Sequence, residues 1–241
     1  MGYLYDTFLY QPLLNTLLWL YTTIAFQDLG IAIILLTLLI RILLFPIFQK
    51  SARHQAVMQR LQPHIKKIQD QYPKDRERQA KEMMALYQEH RLNPFSGMML
   101  LLVQLPVLIA LYQVFIGISN PETLAHGVYS FIQVPRELHT TFLGLINLKG
   151  QSIFMVGLAA FAQYLQGRIA LPPKRAGDEL SHAERMTRNM VLIAPLLTLF
   201  IFWSFPAAVS LYWAVTSFFS VGQQLIINRE LQRNNPGSNR E

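Results

Sequence analysis

The chain has 241 residues, 52% of them hydrophobic and only 15% charged, with a net charge of +7 and a mean hydropathy of +0.26. A soluble domain of this size would not stay dispersed with that balance, so the composition indicates an integral membrane protein, and the positive charge is read by its position along the chain rather than as a sign of nucleic acid. No cysteine is present, which excludes disulfides, thiolate nucleophiles, cysteine-held metals and cysteine lipidation.

Residues 3–26 form an apolar stretch interrupted by Asp6, Gln11, Pro12 and Asn15. Its aromatic residues Tyr3, Tyr5, Tyr10, Trp19 and Tyr21 suit an amphipathic segment on the outer interface better than a spanning helix. No basic residue precedes it, unlike a cleavable signal or a transit peptide, and the chain is read as mature. A first span is expected from about Leu29 to Phe48, since about 20 apolar residues cross the hydrocarbon.

A basic segment follows. Val57, Leu61, Ile65, Ile68 and Tyr72 fall at helical spacing on one face, Pro63 should kink that helix, and YPKD supplies a turn before a second stripe at Ala80, Met83, Met84 and Tyr87. Residues 49–93 therefore read as a helical hairpin; with ten basic and five acidic groups it should lie near anionic lipid or meet an acidic partner, or serve only as a solvated link. Further spans are expected at about Phe95–Ile116, at Ser152–Ala170 (the most polar, with Gln163, Gln166 and Arg168), at Met190–Phe205 and at Ala208–Ile227. Phe205-Pro206 breaks the last apolar block into a hairpin.

Lysine and arginine set the orientation. Eighteen of the 21 fall in 49–93, 167–188 and the tail after Asn228, whereas none precedes residue 28 and only Arg136 and Lys149 lie between 118 and 151. Five spans with the N-terminus outside and the C-terminus in the cytoplasm satisfy the positive-inside rule at every loop. A sixth span would place the N-terminus inside.

The remaining basic residue is Arg41, in the middle of LLTLLIRILLFPIF. Counted along a helix ending near Gln49, it sits about 12 Å inside the cytoplasmic end. Burying it costs about 2.5–3.5 kcal/mol on insertion scales. Either it snorkels to the headgroups or it faces a watery cavity, with Thr37 one turn earlier on the same face. Gln104, Gln163, Gln166, Ser210, Ser217, Gln223 and Gln224 either line such a cavity or hold the helices together by hydrogen bonds. None of the five spans contains Asp or Glu, so water, lipid phosphate or a visiting acidic substrate must compensate the charge. A proton-coupled pump usually needs an intramembrane carboxylate or histidine, and none is there.

The six histidines, His54, His64, His90, His126, His139 and His182, all fall in loops or in the hairpin, and no HExxH, GxSxG, P-loop or dinucleotide glycine pattern occurs. No catalysis, metal or cofactor is expected.

Four segments in order, GIAIILLTLLIRILLFPIFQKS, LQPHIKKIQDQYPKD, EMMALYQEHRLNPFSGMMLLLVQLPVLIALY and FPAAVSLYWAVTSFFSVGQQ, closely resemble the YidC/Oxa/Alb family of membrane protein insertases, over about Pro12 to Arg229. The resemblance implies an all-α polytopic membrane protein of the bacterial plasma-membrane type. Its core would be a five-span bundle with a hydrophilic groove open to the cytoplasm and to lipid but closed outside, and a mobile cytoplasmic hairpin. Divided accordingly, the chain has an interfacial segment at 1–27, a core at 28–228 with the hairpin at 49–93, and a cytoplasmic tail at 229–241. Arg41 would supply the groove's charge, with Thr37, Tyr212 and Trp213 in the substrate-contacting surface and Gln104, Pro106 and Gln163 in similar positions. Nascent membrane-protein clients, lipids, the general translocon and the ribosome are the implied partners, and no nucleic acid. Met98 and Leu100 replace the family's usual cysteine and proline at the start of the second span, and FPAA replaces FPSG or FPAG at 205–208. The chain reads as a minimal form, without a large outside domain or a long basic tail. Two rival readings keep Arg41 at the centre: an anion or small-solute channel, and a lipid scramblase with phosphate as the arginine's partner.

Overall fold

The computed structural model describes residues 2–93, 95–118, 120, 127–135, 138–171 and 182–233. His126, Arg136, most of the expected tail and residues 172–181 of the second basic loop lie outside them. The described chain is predominantly helical.

Tyr3–Tyr5 leads through a π-helical turn, Asp6–Tyr10, into α1 (Gln11–Thr23). Pro12 in the first turn has no N–H for the carbonyl one turn back, which favours the wider turn ahead of it. Leu14, Leu17, Leu18 and Tyr21, at spacings that make one stripe, are fully buried, while Tyr3, Leu4, Phe8 and Trp19 are exposed. The face that is buried packs on α2 (Leu29–Leu43) and α6 (Ser96–Gly117).

Helix α2 opens on Asp28, whose carboxylate accepts the Ile31 N–H at 2.9 Å. It ends at Leu43, five residues short of the expected Phe48. Pro46 has no N–H for the Ile42 carbonyl, so the hydrogen-bond ladder of α2 cannot run through it. Leu44 accordingly leaves the helical region (φ −89°, ψ 4°), and α3 (Phe45–Arg60) departs at 70° to α2. This corrects the placing of Arg41 about 12 Å inside a helix. It sits in the last turn of α2, where a cation is stabilised by the helix dipole.

The hairpin forms much as the stripes imply. The first helix breaks at Leu61, so that α3 is followed by α4 (Gln62–Gln71) with Pro63 in its first turn, and α5 (Arg76–Glu89) starts after YPKD with Asp75 accepting the Arg78 N–H at 3.0 Å. Leu61 and Ile65 are buried, but α5 buries no residue fully and Met84 is 47% exposed.

After α6 a short antiparallel pair, β1 (Thr141–Phe142) and β2 (Ile146–Asn147), pairs Phe142 with Ile146. Leu143 and Gly144 both take left-handed φ (51° and 69°) at its tip. The pair is pinned over the starts of α2 and of the last helix, α9 (Ala207–Arg233), by several bonds. The Leu143 N–H donates to Asp28 (2.6 Å), the His139 N–H to the Tyr21 hydroxyl (2.9 Å), and the Ala207 N–H to the Gly150 carbonyl (2.8 Å). Gly30 is required beneath it, because a Cβ there would come within 2.1 Å of the Phe142 ring.

Helix α7 (Ile153–Ala170) and α8 (His182–Phe202) follow, and the break at Trp203–Pro206 separates α8 from α9 as expected. Among the described residues three helical segments are long and apolar enough to cross a membrane, Ser96–Gly117, Ile153–Ala170 and Arg185–Phe202, and α2 with α3 makes a fourth if the bent pair is one span. Helix α9 is long enough but less apolar than these, and the reason is its position. It packs against α7, α2, α3 and α6, and turns Ser210, Thr216, Ser217, Gln223 and Gln224 into the bundle. By contrast α8 touches α7 alone among its major neighbours and exposes Leu192, Leu196, Leu197 and Phe200.

Candidate functional site

The last turn of α2, the middle of α6 and the second turn of α9 converge on one crevice. Thr37, Ile40, Arg41, Leu44, Phe48, Val103, Gln104, Val107 and Tyr212 line it, around about 220 Å³ of empty space including its mouth. It is narrow. The walls leave no enclosed room for a free water molecule, so the watery cavity expected around Arg41 is here a closed cleft.

Arg41 is 6% exposed, Thr37 1% and Tyr212 2%. The Thr37 hydroxyl turns back to donate to the Ile33 carbonyl at 2.6 Å, which satisfies it without using the arginine. Gln104 reaches across from α6 and donates through Nε2 to the Tyr212 hydroxyl on α9. The Arg41 guanidinium lies over the Phe48 ring, 4.4 Å from its centroid, with the Phe219 ring at 5.9 Å. An aromatic face is a weak counter-charge, worth about 0.5–2 kcal/mol according to desolvation.

Gln163 and Trp213 sit on the other side of α9. The Gln163 carbonyl accepts from the Thr198 hydroxyl of α8 and, at 3.4 Å, from the Trp213 indole N–H, while Trp213 meets Phe202 edge-on at 5.2 Å. Of the residues expected at the site, Thr37, Arg41, Gln104 and Tyr212 therefore share the crevice, and Gln163 with Trp213 forms a separate three-helix junction. Pro106 joins neither; it is exposed on the outer face of α6.

Phe48, Val103 and Val107 in the crevice, Phe219 beside it and Thr198 at the junction were missed from sequence. Phe48 and Thr198 were legible only in part. The first lies beyond a bend whose angle no periodicity gives, and the second is one hydroxyl in an apolar helix. Among the described residues no group of three or more His, Asp or Glu converges as metal ligands do.

The hairpin is tied to this core at two places. The Arg60 guanidinium donates to the Leu231 carbonyl at 3.1 Å, near the C-terminal end of α9. At its base, His54 Nδ1 accepts the Asn93 N–H at 3.2 Å, and Asn93 in turn accepts from the Phe95 N–H at 2.9 Å. Burial first, and then the charges of Lys50 and Arg53, hold the His54 imidazole below its usual value. The acceptor nitrogen must be unprotonated, so the tie is present above the unfolded value of about 6.5 and is lost as pH falls through the depressed folded one. Hydrogen-exchange protection of the Asn93 amide should therefore drop in the wild type as pH is lowered past the depressed His54 value, and be low and flat with pH in His54→Ala.

The model of the family described as 60Kd inner membrane protein matches residues 19–234. Among curated relatives, a protein of Pelobacter propionicus named membrane protein insertase YidC is 31% identical over 92% of this chain and 39% of its own length. One of the same name from Oleidesulfovibrio alaskensis is 31% identical over 93% and 39%, and one from Francisella tularensis subsp. novicida 32% identical over 84% and 33%. The chain thus spans well under half the length of these relatives. A crystal structure described as active YidC insertase with the first transmembrane domain resolved superposes with a TM-score of 0.63 at 22% identity, over 92% of this chain and 46% of the other, and shows that the fold is shared.

Proposed function

We propose that this chain, which belongs to the 60Kd inner membrane protein family and is a multi-pass membrane protein, inserts other membrane proteins into the bilayer. One observation carries the reading: a buried arginine, with no acid in the spans to neutralise it, stands in a crevice walled by Thr37, Gln104 and Tyr212. Such a charge attracts an acidic group strongly at low dielectric. The client's polar tail occupies the crevice, paired with Arg41, while its apolar helix leaves into lipid beside α7 and α9. No nucleotide is consumed.

In this account α2 with the start of α3 as far as Phe48, then α6, α7, α8 and α9, provide five spans, and the crevice is the closed form of a groove that opens to the cytoplasm. The β1–β2 cap faces outside, residues 1–27 lie at the outer interface, and the basic hairpin at 49–93 and the tail at 229–241 are cytoplasmic. The loop charges support this orientation. Nascent chains are the clients; the general translocon and the ribosome are partners on the same reading.

Purified protein in vesicles should insert a single-span client with no other component, and in planar bilayers should carry no sustained current. A steady anion current, or lipid flipping, in protein that inserts nothing contradicts the proposal in favour of a channel or a scramblase. The tight crevice speaks against the channel, which needs a continuous water path.

A further inference from the structure

An attractive charge creates a second problem for an insertase, because a client carboxylate held too firmly never leaves. Among the described residues the Arg41 guanidinium makes no hydrogen bond or ion pair, and what it does touch is the face of Phe48 at 4.4 Å, with Phe219 behind at 5.9 Å. Phe48 is 7% exposed and comes from α3, on the far side of the 70° bend from Arg41 itself. Phe219, from α9, is met edge-on by Phe45 at 6.4 Å and an interplanar angle of 82°. The arginine thus lies within reach of rings from two helices.

Resting on the insertase reading, we propose that Phe48 is an intramolecular competitor for Arg41, setting how tightly an acidic client is held and recapturing the guanidinium when the client leaves. The crevice leaves no room for even one free water beside Arg41, so a client carboxylate reaches the in-plane N–H fork only if the Phe48 ring gives way. A neutral tail has no claim on Arg41 and passes without displacing Phe48. Phe48 therefore tunes the discrimination between acidic and neutral clients.

A competitor must be able to step aside, and the seam on which Phe48 moves is poorly satisfied. Phe45 meets Phe219 and Arg60 meets Leu231, so α3 runs alongside α9 in the same direction. One turn on from the first pair stand Gln49 on α3 and Gln223 on α9. The Gln49 Oε1 and Gln223 Nε2 atoms are both buried with no hydrogen-bond partner. Closed packing is costly at these amides, so parting α3 from α9 regains hydration that partly offsets the lost contacts.

The test is equilibrium binding to the full-length chain in nanodiscs of a fluorescent single-span peptide, in paired forms with two aspartates or two asparagines in its N-terminal tail. Phe48→Leu, which keeps apolar volume but removes the ring face, should tighten the aspartate form about threefold to tenfold. Phe48→Trp, a stronger cation binder, should weaken it, and neither should move the asparagine form. Where the leucine variant does not purify as folded protein, Phe48→Met takes its place, and tryptophan still reports the opposite sign. Equal shifts in both peptides, shifts of one sign for leucine and tryptophan, or no binding by the wild type overturn the proposal. Failure of the wild type to insert the aspartate client into vesicles counts against the insertase reading alone, because the binding contrast is measured without insertion.

Discussion

Arg41→Glu lowers insertion of an acidic-tailed single-span client into reconstituted vesicles by at least about tenfold, since it replaces an attraction in a desolvated crevice by repulsion. Arg41→Ala loses less, and Arg41→Lys keeps the charge but not the planar fork that pairs with a carboxylate. The same three variants should have little effect on a client whose tail is neutral. Stability separates this from simple damage to the fold. Arg41 has no buried carboxylate whose loss of partner would be costly, so Arg41→Ala should unfold within a few degrees of the wild type. If glutamate inserts the acidic client as well as arginine does, charge attraction is not the mechanism.

Asn15→Leu should be among the most destabilising single changes, for reasons at the other end of the bundle. Asn15 is 2% exposed and holds the segment after α6 against α1: Nδ2 donates to the Gly127 carbonyl (2.9 Å) and the Gln11 carbonyl (2.7 Å), and Oδ1 accepts the Tyr129 N–H (2.7 Å). Leucine is close in volume and strips the Tyr129 N–H and Gly127 carbonyl of their partner. Two orphaned backbone groups cost about 2–5 kcal/mol, or roughly 4–15 °C in the unfolding midpoint for a chain of this length. Thermal unfolding in detergent, followed by circular dichroism, reads it. A loss below about 1 kcal/mol would mean that water reaches these groups and that the cap is not closed there.

Asn15 also shows where sequence reasoning stops. Within residues 3–26 it counted as an interruption of an apolar stretch, whereas in the fold it is the residue around which that stretch docks. The helices Ser96–Gly117, Ile153–Ala170 and His182–Phe202 were legible because apolar runs of span length have one common explanation, although the last ends three residues before the expected Phe205, and Phe205-Pro206 marked its turn because proline cannot continue a helix. The bend at Leu44 was not anticipated, although Pro46 was in plain view, because the apolar run continues through it to Phe48. That one omission displaced Arg41 from a helix end to a helix middle and hid Phe48 as its neighbour. Thr37 and Arg41 were found by their spacing on one helix. Gln104 stood out as a polar residue of an apolar run, but that it meets Tyr212 follows only from the packing of α6 on α9, which a single sequence does not encode visibly; the family resemblance alone supplied Tyr212. The same resemblance carried Pro106, which lies off the crevice.

The central claim is that a client's polar segment lodges beside Arg41 and its helix leaves past α9. Photo-crosslinking to a stalled single-span client tests it most directly, with the photoreactive residue placed in turn at Tyr212, Trp213 and Phe200, the last being 81% exposed on the outer face of α8. Strong crosslinks from 212 and 213, reduced by Arg41→Glu for an acidic client, and little from 200 are predicted. Crosslinking that is equal at all three positions and indifferent to the charge at 41 would contradict the account.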